Sequence, residues 1–131
     1  MVKCHRRGKD VTFVTYGSLL DNVLEAAAIL EQQGIEATVL RLLRVSDLPF
    51  AEIARNLAES RRVIVAEEVC QGSGIREALA FELHKCVPGC QVDGLDLSRD
   101  FVPHGSQKKL YQHCGLDAQA IAAFTKEVLS E

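Results

Sequence analysis

The sequence predicts a three-layer α/β/α domain, in which helices cover both faces of a doubly wound, mostly parallel sheet. Short apolar stretches rich in β-branched residues alternate along the chain with longer segments whose apolar residues recur at helical spacing. Such alternation is typical of parallel sheets. Glycine and proline separate the stretches, as expected of turns. Right-handed crossover connections then place helices on both faces of the sheet.

Four strands are predicted. The first is rich in β-branched and aromatic residues, and the third is a continuous apolar run of the kind that fills a buried parallel sheet. The fourth is weaker because Gly94 lies inside it. In chain order the predicted strands cover residues 11–16, 35–43, 62–66 and 91–97.

Helices are expected between these strands and at the end of the chain. Ser18 is a suitable N-cap for the first helix, and Gly34 is a suitable stop after it. Asp117 is expected to cap the last helix. The predicted helices cover residues 20–33, 51–59, 75–85, 106–114 and 117–129. Residues 1–9 are polar and basic, so we expect an approach segment there, followed by one domain over residues 10–131.

Length and composition limit the classes of function. The chain has 131 residues, of which 47% are hydrophobic and 25% charged, and this suits one globular domain. Its net charge of −3 and low aromatic content of 5% disfavour a nucleic-acid binder. No apolar run approaches the ~18 residues of a membrane span, and no signal-peptide core is visible. Five cysteines at scattered spacing suggest reduced thiols and a cytoplasmic protein.

Candidate functional residues lie where the predicted strands end, because ligands of open parallel sheets bind beyond the carboxyl ends of the strands. Three segments fall there, residues 16–18, 67–74 and 96–105. The Gly72-Ser73-Gly74 loop precedes a helix, so its amides could hold an anion. The same glycines suit a tight turn without a ligand, and we favour that explanation.

Glu67 and Glu68 follow the third predicted strand. Paired carboxylates can perform acid–base or metal chemistry, but adjacent residues of a strand point to opposite faces. We therefore expect one of them to cap a helix N-terminus and the other to contact a neighbouring chain. His104 lies in a loop, where it could be a ligand or a catalytic group, or could bond to the backbone.

Histidines and cysteines give an incomplete metal-ligand pattern. Cys86 and Cys90 are spaced as Cys-x3-Cys with His84 just before them, and Cys114 follows His113. A structural zinc site needs four ligands, usually from two such pairs, so no metal site is predicted. Cys70 has no identifiable base beside it, and a small buried residue is the better expectation.

Several segments resemble the C-terminal domain shared by transketolase-type thiamine diphosphate enzymes. Residues 8–18 are similar to the opening turn and first strand of that domain, and residues 65–68 with 72–74 are similar to its third strand and glycine-containing loop. Within the superfamily, the tail is most similar to 1-deoxy-D-xylulose-5-phosphate synthase. Its matching stretches are residues 100–106, Leu110 and residues 115–118. One departure is Ser46-Asp47-Leu48-Pro49, where the family often has Lys-Pro-Leu-Asp.

The resemblance implies an enzyme that joins pyruvate and glyceraldehyde 3-phosphate with loss of CO2, using thiamine diphosphate and magnesium. The Gly-Asp-Gly motif and the activating Glu of that family belong to preceding domains and are not in these residues. The resemblance therefore implies a third domain with no catalytic, cofactor-binding or metal-binding residues of its own. Its expected role is to pack on those domains and support a homodimer.

The candidates for interface or anion contacts lie at the carboxyl end of the predicted sheet. They are Glu67, Glu68, Gly72, Ser73, Gly74 and His104. Two alternatives stay open. One is a free-standing module that binds an anion or a phosphorylated metabolite. The other is the same domain of a transketolase or of an oxo-acid dehydrogenase β subunit.

Overall fold

The computed structural model describes residues 1–69, 74–96 and 116–131. The elements in these ranges are, in chain order, β1 (Val2–Arg6), β2 (Val11–Thr15), a 3₁₀ turn (Gly17–Leu19), α1 (Leu20–Gln32), β3 (Ala37–Leu42), α2 (Phe50–Arg55), β4 (Arg62–Ala66), α3 (Arg76–Cys86), β5 (Gln91–Leu95) and α4 (Ala118–Leu129). Their alternation confirms the α/β class.

The described strands form one five-stranded sheet in the order β1-β3-β2-β4-β5. The pairs β2–β3, β2–β4 and β4–β5 are parallel, and β1 runs antiparallel to β3. From β2 the chain crosses to β3 on one side and later to β4 on the other. The carboxyl ends of β2 and β4 therefore border the crevice where a doubly wound sheet reverses direction.

Two apolar clusters confirm the three layers. The strands alternate their side chains between the two faces, so that Phe13 and Ile64 face one cluster while Val14 and Val65 face the other. Helices α1 and α4 cover the first cluster, and α2 and α3 cover the second. All four of these strand residues are fully buried. Burial of this kind contributes about 1.5–3 kcal/mol for each large side chain.

Strand β1 was not predicted, because residues 1–9 were expected to be an approach segment. None of its side chains is fully buried, so it lacks the apolar run or alternation by which the other strands were recognised. Within the pair, Lys3 lies directly opposite Arg41. Like charges opposite each other are unfavourable, and cations at a sheet edge discourage further strands from joining it.

The helix ends agree in part with the predictions. Gly34 follows α1 with φ of 80°, and the Asp117 side chain accepts a hydrogen bond from the Ala120 amide as the N-cap of α4. The prediction that Ser18 caps α1 is wrong. The chain enters α1 through the 3₁₀ turn, and the Ser18 hydroxyl donates to Glu68. The predicted helix over residues 106–114 lies outside the described residues.

Candidate functional site

Glu67 is the centre of the described residues at the carboxyl end of the sheet. It directly follows β4, and only 2% of it is exposed. Its Oε2 accepts hydrogen bonds from the Tyr16 hydroxyl at 2.9 Å and from the Ile75 amide at 2.8 Å, while its Oε1 accepts from the Arg76 amide at 3.3 Å. The carboxylate thus links the ends of β2 and β4 to the first turn of α3, where a negative charge is stabilised. One of the two glutamates was expected to make this helix contact.

Gly74 is required by the position of that carboxylate. A Cβ atom at residue 74 would lie 2.0 Å from Glu67 Oε2, far inside van der Waals contact. Gly74 is therefore explained by its close packing against Glu67 within the domain. Gly72 and Ser73, the other two members of the candidate loop, lie outside the described residues.

Glu68 points away from Glu67, as expected for adjacent residues at a strand end. It is exposed, and its Oε2 accepts a hydrogen bond of 2.8 Å from the Ser18 hydroxyl. A second bond therefore crosses the crevice between the ends of β2 and β4, on its solvent side. The part-buried Tyr16–Glu67 bond and the exposed Ser18–Glu68 bond both span the place where a doubly wound fold most often binds its ligand.

Arg76 extends this cluster to the end of β5. Its Nη2 lies 3.5 Å from Glu77 Oε1 and 3.8 Å from Asp96 Oδ2. The side chain lies across Gly94, where a Cβ atom would be 2.2 Å from Arg76 Cδ. Gly94, which made the fourth predicted strand weak, thus leaves space for the Arg76 side chain. The structure brings together the described parts of all three predicted segments, while His104 lies outside the described residues.

Hydrogen bonds hold this cluster together. Three donors already bond to the Glu67 carboxylate, so its oxygens are occupied. Burial, followed by the hydrogen bond and the negative charge of Glu67, raises the pKa of Tyr16 well above its ordinary value. Tyr16 therefore keeps its proton at neutral pH and acts as a hydrogen-bond donor.

Replacing Tyr16 by phenylalanine is expected to lower the free energy of unfolding by about 1–2 kcal/mol near neutral pH, because one donor to a buried carboxylate is lost. Urea unfolding at pH 7 measures the difference from the wild type.

The raised pKa of Tyr16 also predicts that the stability of the domain declines at alkaline pH. In the unfolded chain Tyr16 ionises near its ordinary pKa of 10.0, while the folded protein retains the proton to higher pH. The stability from this group is therefore complete below about pH 10 and falls as the pH rises towards the folded pKa. Urea unfolding from pH 8 to 11 should show a shallower decline for Tyr16→Phe than for the wild type; parallel declines would contradict this account.

The described cysteines do not form a metal cluster. Cys4 and Cys86 are exposed and Cys90 is buried, all three as free thiols. Burial raises the pKa of the Cys90 thiol, and the nearby charge of Arg61 partly opposes this. Residues 1–69, 74–96 and 116–131 contain no group of three His, Cys, Asp or Glu side chains that could hold a metal ion. Cys70 and Cys114 lie outside these ranges.

Thiamine diphosphate with its magnesium does not fit the described residues. A bound diphosphate needs a cation cluster or available backbone amides. The two described amides that open α3 already donate to Glu67.

Comparison with known proteins decides the family. Residues 1–121 match the family model described as "Transketolase, C-terminal domain". The chain belongs to this family. The 1-deoxy-D-xylulose-5-phosphate synthase of Heliobacterium modesticaldum is 31% identical over 94% of the chain, and that of Anaeromyxobacter dehalogenans is 34% identical over 93%. These matches cover only 19% and 20% of the relatives' lengths, so the chain spans about a fifth of each.

Solved structures show the same fold. A split-gene transketolase, described as an inactive β4 tetramer, superposes with a TM-score of 0.82 and 28% identity over 99% of this chain and 41% of its own. Transketolase from Campylobacter jejuni superposes with a TM-score of 0.62 at 21% identity over 95% of this chain and 17% of its own, which supports the fold alone. Within the described residues, no helix is long and apolar enough to cross a membrane.

Proposed function

We propose that this chain is the C-terminal domain of a cytoplasmic 1-deoxy-D-xylulose-5-phosphate synthase. The observation that carries the proposal is the set of curated relatives with that name, which are 31–34% identical over 93–95% of the chain. The complete enzyme would join pyruvate and glyceraldehyde 3-phosphate with release of CO2. It would hold thiamine diphosphate and magnesium in the domains that precede this one.

The role of the domain itself is architectural in this proposal. Glu67 supports it, since a carboxylate with 2% exposure and three donors organises its own domain and has no access to a substrate. Glu68 and Ser18 lie on the exposed side of the same crevice and are suited to contact a neighbouring domain. The name of the split-gene transketolase, a β4 tetramer, is consistent with an assembling role for this fold.

The first experiment is the intact mass of the native protein, isolated from its source cells with an antibody raised against this chain. A mass several times 14.4 kDa is expected. The complete protein should then release CO2 from pyruvate only when glyceraldehyde 3-phosphate and thiamine diphosphate are both present. A native mass near 14.4 kDa, or a complete protein without this activity, would overturn the proposal.

Replacing Glu68 by alanine in the complete protein is expected to loosen domain packing or the homodimer, because the exposed carboxylate at the crevice is removed. The expected cost is about 0.5–2 kcal/mol, measured by melting and by dimer dissociation. Glu59→Ala is a matched control, since Glu59 is exposed at the opposite end of the sheet. Equal results for the two variants would contradict an interface at Glu68. The same test applies to His104.

A transketolase is the second candidate, favoured by the TM-score of 0.82 to the split-gene enzyme. A complete protein with transketolase activity but no pyruvate-dependent activity would decide for a transketolase.

A free-standing anion-binding module is less favoured. That module would use the Gly72-Ser73-Gly74 loop at the start of α3, and the Ile75 and Arg76 amides that follow this loop already donate to Glu67.

A further inference from the structure

A groove lies at the amino end of the sheet, opposite the end that carries Glu67. It has a volume of about 440 Å³ and lies where β2, β3 and β4 begin, beside the end of α4. Concave sites of this size bind small molecules, and a few polar groups among apolar ones fix the orientation of the ligand. The lining combines a cation, an anion and a hydroxyl with two apolar side chains and a glycine: Arg62, Asp10, Ser60, Ile35, Leu129 and Gly34.

Arg62 is the cation of this groove, and its hydrogen-bonding groups are poorly satisfied within the domain. The side chain is partly buried, and its Nη2 donates to the Val128 carbonyl. In the described part of the chain, its Nε–H is buried without a hydrogen-bond partner and its other N–H groups have no acceptor. A buried donor without an acceptor is uncommon in a folded domain. The forked guanidinium is suited to a carboxylate, which can accept two of its hydrogen bonds at once.

Asp10 is the anion of the same groove. Its Oδ2 accepts a hydrogen bond of 2.8 Å from the Glu36 amide, and its backbone carbonyl accepts one of 2.7 Å from the Ser60 hydroxyl, so the residue is held in place. Neither Asp10 nor Arg62 makes an ion pair, with the other or with any further residue that the structure describes. Two opposite charges thus line one groove without pairing. The groove is therefore complementary to a small molecule that carries both charges.

We propose that this groove binds an α-amino acid with an apolar side chain. The carboxylate of the ligand would accept hydrogen bonds from the Arg62 guanidinium, and its ammonium group would donate to the Asp10 carboxylate. Its side chain would pack on the partly exposed Ile35 and Leu129. Charge-assisted hydrogen bonds are the strong ones, and burial of the apolar side chain adds to them. Because the groove is at the other end of the sheet from Glu68, this binding is a function beyond the proposed assembly role.

The test is an amide NMR titration of the full 131-residue chain with L-leucine and with two analogues that each lack one charge. L-Leucine should bind with a Kd of about 1 mM or lower. Isocaproate lacks the ammonium group and isoamylamine lacks the carboxylate, so each should bind about tenfold more weakly than leucine. The amide signals that shift should include those of Gly34 and Ile35, while that of Glu67 should stay in place.

Two variants identify the group that each charge of the ligand contacts. Arg62→Gln should weaken leucine binding by about tenfold but leave isoamylamine binding unchanged, because this amine has no carboxylate to lose a partner. Asp10→Asn should weaken leucine binding similarly but leave isocaproate binding unchanged. A merely structural role of either residue would weaken all three molecules alike. Arg61→Gln is the matched control, since Arg61 donates to the Pro88 carbonyl and does not line the groove.

Four results would overturn the proposal. They are the absence of shifts at about 10 mM leucine, equal affinities for leucine and either analogue, shifts confined to the end of the sheet that carries Glu67, and an equal loss of binding in Arg61→Gln and Arg62→Gln. The titration contains no substrate or cofactor of the proposed synthase. Its failure would therefore leave the proposed synthase activity standing, and loss of that activity would leave this groove unaffected.

Discussion

Replacing Glu67 by alanine is expected to lower the free energy of unfolding by about 3–5 kcal/mol, since hydrogen bonds to a buried charged group contribute about 1.5–3 kcal/mol each. The substitution leaves the part-buried Tyr16 hydroxyl and the buried Ile75 amide without their acceptor. It also removes the negative charge from the N-terminus of α3. Urea unfolding followed by circular dichroism measures the change.

The neighbouring glutamate provides the control for this prediction. Glu68→Ala removes the same chemical group one residue later, but from an exposed position, where its Oε2 accepts a hydrogen bond from the Ser18 hydroxyl. Its cost in the isolated chain is expected to be about 0–1 kcal/mol. Glu67→Gln should fall between the two alanine variants, because its amide oxygen still accepts a hydrogen bond. Similar losses for Glu67→Ala and Glu68→Ala would show that the buried network does not stabilise the domain.

The regular part of the fold was predictable from sequence because burial dictates its pattern. The third predicted strand, residues 62–66, coincides with β4, whose last four residues are all fully buried. A strand buried on both faces must be apolar throughout, and few other structures require such a run. Asp117 was equally predictable, since a capping side chain acts on an amide three residues away.

The predictions that failed depended on distant partners. Strand β1 is polar because it lies at the sheet edge, and only its pairing with β3 identifies it as a strand. Ser18 has the right chemistry for an N-cap, but its hydroxyl bonds to Glu68, 50 positions away in sequence. The pairing of Tyr16 with Glu67 is also long-range. The one available signal was that both residues directly follow buried parallel strands, which places them at the same end of the sheet.

Gly8 carries the second large expected effect. A Cβ atom there would lie 2.4 Å from the Ala37 nitrogen and 2.5 Å from the Glu36 carbonyl carbon. Both are backbone atoms, which cannot rotate away as the end of a side chain could. The contact is fixed further by buried Thr38, whose hydroxyl accepts from the Gly8 amide at 2.9 Å and donates to the Gly8 carbonyl at 2.6 Å. Gly8 thus holds the turn before β2 against the start of β3.

Gly8→Ala is therefore expected to cost about 3 kcal/mol or more, within the range of strongly overpacked sites. Gly17→Ala separates this packing effect from the general cost of losing a glycine. Gly17 has φ of 70° but no atom within 4 Å of an added Cβ, so its substitution should cost only about 1–2 kcal/mol of backbone strain. Urea unfolding of both variants measures the difference. A smaller loss of unfolding free energy in Gly8→Ala than in Gly17→Ala would contradict this account. The close approach of residue 8 to β3 would then not hold the turn, and the glycine of the family's opening turn would need a conformational explanation.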